Sequence, residues 1–129
     1  MKGEVDYWLE KLRQERWILH LDGRDSRRPE WMAAHFAWQD CADVVIIRDE
    51  QSAVAYRTPA DYRTDVLAPE CVTWVYGDDK SAAWVLRAVL SRPRPGSPAE
   101  PRNLIPAPPA CRIPLDGRTP VSIRPLRPN

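Results

Sequence analysis

Asp43-Val44-Val45-Ile46-Ile47-Arg48, then Asp49-Glu50-Gln51, then Ser52-Ala53-Val54-Ala55-Tyr56-Arg57-Thr58 is the stretch that decides the fold. Its first run is β-branched and bounded by polar residues, so it reads as a buried strand. The three polar residues that follow make a tight connection. Beyond them Ala53, Ala55 and Arg57 alternate with Val54 and Tyr56. Two runs joined so closely pair as an antiparallel hairpin.

Upstream, Val5, Trp8, Leu9 and Leu12 fall at i, i+3, i+4 and i+7, which predicts an amphipathic helix over residues 4–16. Trp17, Leu19 and Leu21 then alternate with Ile18 and His20. That pattern fits a short strand ending at the Asp22-Gly23 turn, or a helix running on to about Leu19. Arg24–Arg28 is a charged loop. Pro29–Trp38 fits two templates: a helix opened by Pro29 with Trp31, Ala34, His35 and Trp38 on one face, or a strand through Ala34, Phe36 and Trp38. Downstream, Cys71–Tyr76 reads as another strand, with Val72, Trp74 and Tyr76 on one face. Ser81 caps a helix over Ala82–Leu90 whose inward stripe is Ala82, Val85, Leu86 and Val89. The expected class is α+β: a small antiparallel sheet of four or five strands, an N-terminal and a late helix, and an extended C-terminal arm.

The division falls near residue 91. Residues 1–91 hold 12 Lys and Arg against 16 Asp and Glu, a net charge of −4, while residues 92–129 hold 7 Arg against Glu100 and Asp116, net +5. The same arm holds 11 of the 14 prolines, so it cannot be helical. A GC-rich genome accounts for much of the excess of Arg over Lys, but codon usage does not decide where residues sit. The arm also carries Leu104, Ile105, Ile113, Leu115, Val121, Ile123 and Leu126, more large aliphatics than a disordered tail carries. Residues 1–91 are therefore read as a compact body and 92–129 as an arm packed on that body or on a partner.

No apolar run approaches the roughly 18 residues of a membrane span, and the first residues lack the apolar core of a secretory signal. A soluble, cytoplasmic chain with no membrane contact is the expectation. Cys41, Cys71 and Cys111 are too widely spaced for a zinc knuckle. Cys41 and Cys71 border apolar strands and read as buried, whereas Cys111, beside Arg112, reads as exposed and reactive. Phosphate-loop, dinucleotide, nucleophile-elbow and metalloprotease motifs are all missing, so no catalytic residue and no cofactor is assigned.

Three functional readings remain. The favoured one is a non-enzymatic interaction protein that binds a protein partner or a second copy. Six Trp exceed what one small core hides, and Trp and Arg dominate interface hot spots. Its anchors are Trp31, Trp74 and Trp84, with Arg112, Arg118, Arg124 and Arg127 pairing carboxylates from the arm. The alternative is nucleic-acid binding through Arg24, Arg27 and Arg28 together with the basic arm. A second alternative is a small metal-dependent enzyme built on His20, Asp22 and His35, letters that match a His-x-Asp…His ligand set.

Overall fold

The computed structural model describes residues 3–22, 30–77, 80–101, 103–113 and 121–123. Helix α1 covers Glu4–Gln14, and Asp6 reaches back to accept from the Gly3 amide at its N-terminus. Strands β1 (Ile18–Leu21) and β2 (Met32–Ala37) follow, then the long hairpin β3 (Cys41–Asp49) and β4 (Ser52–Pro59). Two short strands, β5 (Cys71–Val72) and β6 (Trp74–Gly77), precede helix α2 (Ala82–Leu90), capped by the Ser81 hydroxyl on the Trp84 amide. The arm contributes β7 (Ile105–Pro106), a 3-10 turn at Pro109–Cys111 and β8 (Val121–Ile123).

The class is α+β with antiparallel pairing throughout. The main sheet has six strands rather than four or five, in the order β6-β4-β3-β2-β1-β8, and β5 and β7 form a separate pair. Two features account for the difference. Three residues of the Pro-rich arm, too few to signal a strand, add β8 beside β1. The expected strand over 71–76 breaks at Thr73, whose amide donates to the Arg57 carbonyl. Val72 and Trp74 therefore do not share a face: Val72 packs with the β3 residues Val44 and Ile46, Trp74 with Val45 and Ile47. Over 29–38 the strand template is the one that forms, because Met32–Ala37 pairs along its whole length with β3.

The sheet is buried on both faces. On one, α1 and α2 bring Leu12, Val85, Leu86 and Val89 against Val45, Ile47 and the small residues Ala34, Ala53 and Ala55, which let the helices approach closely. On the other, Val44, Ile46, Val54 and Tyr56 are covered without a helix, by Leu67, Val72, Cys111 and Ile113 from irregular segments. Backbone bonds hold that cover down: Ala107 N to Glu70 O and Ile113 N to Leu67 O. Arg48 also donates to the carbonyls of Ala110 and Arg112. Cys111, expected to be exposed, is fully buried there.

The helix face also holds a charged cluster. Asp43, 0 % exposed, accepts from Arg57 Nε at 2.6 Å and Nη2 at 3.0 Å, from Arg92 Nε at 2.6 Å and from Trp38 Nε1 at 2.7 Å. Arg57 also reaches Glu100 at 2.9 Å and the Pro93 carbonyl at 2.8 Å. Burial alone would lower the Arg57 pKa, but the hydrogen bond and charge of Asp43, aided by Glu100, reverse this and raise it above its ordinary value.

Two substitutions test this account. Asp43→Ala leaves two guanidinium groups facing each other in the core and should cost about 3–5 kcal/mol in urea unfolding. A loss below about 1 kcal/mol, the range of exposed ion pairs, would show that the cluster does not hold the sheet. At Gly77, φ is +118° and an added Cβ would lie 2.5 Å from the Ala53 carbonyl oxygen. Gly77→Ala should therefore cost at least about 1–3 kcal/mol through backbone strain, read from the same unfolding curves.

Candidate functional site: an imidazole pair at a cleft

Register places the two histidines together. In the β1–β2 pair Ile18 lies opposite His35 and His20 opposite Ala33, so the imidazoles are diagonal neighbours on one face. That face is the one without helices. His20 Nε2 lies 2.7 Å from His35 Nδ1, with ring planes 16° apart. On the other side of β1, Ser122 of β8 lies directly opposite His20, and its Oγ is 2.9 Å from His20 Nδ1. A continuous chain results: Ser122 Oγ, His20, His35. Ser122 is exposed, His20 is 9 % exposed and His35 is half-buried.

The histidines line a cleft of about 430 Å³ whose far wall is the 60–67 segment. This volume lies within the range of small-molecule sites, roughly 300–1,000 Å³. Local chemistry shapes the wall. Asp61 accepts from the Arg63 amide at 2.8 Å, the Thr64 hydroxyl accepts from the Asp61 amide at 2.9 Å, and Asp65 accepts from the Leu67 amide at 3.0 Å. These are side-chain turns of the kind Asp favours. The Tyr56 hydroxyl, whose pKa burial pushes up, donates to the Val66 carbonyl and ties the wall to the sheet. Trp38, Gln39 and Cys41 also line it, and among the described residues the lining has no Lys or Arg.

Of the trio read as metal ligands, His20 and His35 meet and Asp22 does not join them in a ligand set. Asp22 is 2 % exposed and accepts from the Glu30 amide, closing the β1–β2 connection. The facing nitrogens of the histidines are spent on each other. Among the described residues, no group of three or more His, Cys, Asp or Glu is arranged to hold a metal ion.

The other candidate residues are dispersed. Trp31 and Trp74, expected at a partner surface, are each 5 % exposed and pack into the two cores, whereas Trp84 is 45 % exposed on α2. The correction has a physical cause: a sheet covered on both faces, with guanidinium groups stacked on indoles, absorbs more Trp than one core does. Arg112 is exposed. Arg24, Arg27, Arg28, Arg118, Arg124 and Arg127 lie outside the described residues. Sequence reasoning missed Ser122. The signal available was the Val121-Ser122-Ile123 alternation, which sets one polar residue between two β-branched ones.

Cys41 offers a chemical probe of the cleft. Burial, with the carboxylates Asp43, Glu100 and Asp40 against the opposing pull of Arg57, pushes its thiol pKa from 9.0 up to about 11. Alkylation of Cys41 should stay slow at pH 8, well behind free glutathione, and accelerate only toward pH 11, as peptide mass spectrometry would record. The unfolded chain loses this proton first, so the thiol's contribution to stability falls as pH rises from 9 to 11. A Cys41 rate at pH 8 equal to that of free glutathione would contradict this environment. Compared with family models, curated proteins and solved structures, the chain matches none.

Proposed function

We propose that the chain is a small-ligand-binding protein that works by acid–base chemistry at the His35 end of the imidazole pair. One observation carries this reading: a 2.7 Å imidazole–imidazole hydrogen bond opening on a 430 Å³ cleft. A histidine pair buried only for packing would satisfy itself within the core. Here both rings line open space, and imidazole is the side chain that exchanges a proton near neutral pH. The carboxylates Asp61 and Asp65 and the rings of Trp38 and Tyr62 in the lining favour a neutral or cationic planar ligand over a phosphate or carboxylate.

A second reading, docking of a protein partner or a second copy, is supported by a different surface. Tyr7 of α1 is 53 % exposed and Trp84 of α2 is 45 % exposed, with Lys11 and Lys80 over their rings. Aromatic anchors of this kind suit an interface.

Ligand-observed NMR separates the two. A fragment set divided into cationic heterocycles and amines, neutral phenols, and anionic carboxylates and phosphates is titrated against the full chain. Cationic and neutral members should bind, His35→Ala should remove that binding, and Trp84→Ser should leave it intact. Binding untouched by His35→Ala, or binding confined to anions, would overturn the cleft reading. Light scattering that rises with concentration and falls in Trp84→Ser would support docking.

A further inference from the structure

We propose that Ser122, His20 and His35 form a proton relay that runs from solvent at the β8 edge of the sheet into the cleft. The proposal deepens the ligand-binding reading and rests on it. Three facts carry it: contacts of 2.9 and 2.7 Å link the members in series, the outer member is exposed, and the inner member lines the cleft. Each contact is within the reach over which protons transfer, roughly 2.6–3.2 Å between heavy atoms.

The chain admits two proton arrangements. In the first, the Ser122 hydroxyl donates to His20 Nδ1, His20 Nε2–H donates to His35 Nδ1, and His35 carries its proton on Nε2. In the second, every hydrogen bond is reversed: His35 Nδ1–H donates to His20 Nε2, and His20 Nδ1–H donates to Ser122 Oγ. Passing from the first to the second moves one proton inward. The His35 Nε2–H bond breaks and a ligand basic atom gains the proton. His35 Nδ1 takes the proton from His20 Nε2, His20 Nδ1 takes that of Ser122, and Ser122 Oγ is reprotonated by solvent water. Run backward, the same bonds carry a proton from an acidic ligand to solvent and restore the first arrangement. No charge remains on the chain in either state, so the nearly buried His20 never has to hold an uncompensated proton.

A single imidazole at the cleft mouth would exchange protons with whatever water shared its space. A relay lets His35 give up its Nε2 proton while a ligand covers the inner end and still stay neutral, because a replacement reaches its Nδ1 through the sheet. Ser122 belongs to the arm, so β8 is a positioning element: it supplies the outer member, whose hydroxyl donates in the first arrangement and accepts in the second. The Ser122 hydroxyl is required for this, and the β8–β1 pairing is what holds it opposite His20.

The test uses the intact chain labelled with ¹⁵N-histidine. Coupling between His20 Nε2 and His35 Nδ1 across the hydrogen bond should be visible, and the ring nitrogen shifts should lie between the values of pure tautomers. Ser122→Ala should slow exchange with water of the proton shared between His20 and His35 by about tenfold, the factor for roughly one lost hydrogen bond. Ser122→Thr, which keeps the hydroxyl, should restore it. Amide spectra of both variants report whether the fold is kept. Absence of the coupling, or exchange of the shared proton that is the same in the parent chain and Ser122→Ala, would overturn the relay. The two proposals fail separately. Slowed exchange with no fragment binding at His35 would leave the relay standing and remove the ligand reading, while fragment binding with unaltered exchange would do the reverse.

Discussion

One carboxylate organises the helix side of this protein. Asp43 is fully buried yet accepts four hydrogen bonds, from two guanidinium groups and an indole. Two buried arginines and one aspartate would be costly in a low-dielectric interior, and Glu100 brings the opposing charges to balance. The ring faces around the cluster are part of the same solution: Arg57 lies over Trp74, and Arg92 over Trp17, Phe36 and Trp38. Quadrupoles of this sign stabilise cations that have left water. The arrangement is not free of cost, since the Trp17 and Trp74 indole N–H groups have no hydrogen-bond partner.

The cluster also determines where the imidazoles sit. Phe36, Asp43, Arg57 and Trp74 form one cross-strand row over β2, β3, β4 and β6. Slipping any of these strands by one residue would turn its member of the row to the opposite face. A slip of β3 would strand Asp43 on the face of Val54, Tyr56 and Leu67, away from Arg57 and Arg92. Register is thus held by a charge requirement as well as by apolar pattern. With Phe36 fixed on the helix side, His35 must face the other way. The β1–β2 pairing then carries His20 to the same face. The electrostatics of one side and the candidate site of the other are two readings of a single register.

These dependencies explain which parts were legible beforehand. The β3–β4 hairpin was, because β-branched runs and a short polar connection are local signals. Both helices were, because stripes at i, i+3 and i+4 need no knowledge of the partner. The break at Thr73 was not: the residue alternates properly, and only the Arg57 carbonyl across the sheet shows why the strand divides. Asp43 and Arg57 looked like a strand flank and an alternating polar residue, since a buried ion pair is defined by what surrounds it. Where the tryptophans go was hidden for the same reason, as Trp17, Trp38 and Trp74 have cations against their rings. His20 and His35 were singled out by letter pattern, but the pattern suggested a shared ion, whereas the register gives direct contact.

The two faces also differ in how they are closed, and this bears on why the cleft lies where it does. Helices present side chains on a regular surface and fill the space above a sheet, as α1 and α2 do over Val45 and Ala55. The opposite face is closed by turns and extended pieces, which must satisfy their own backbone groups before they can pack. Asp61, Thr64 and Asp65 do this for the 60–67 segment with side-chain turns. The gap that remains lies beyond Val44 and Tyr56, toward β1 and β2, where the sheet extends past its cover. Polar side chains on that margin cost little, being partly solvated and bonded to one another. An imidazole pair is tolerated there and would not be under the helices. What makes that margin suitable for chemistry is therefore the same irregular cover that makes it a poor place for a core.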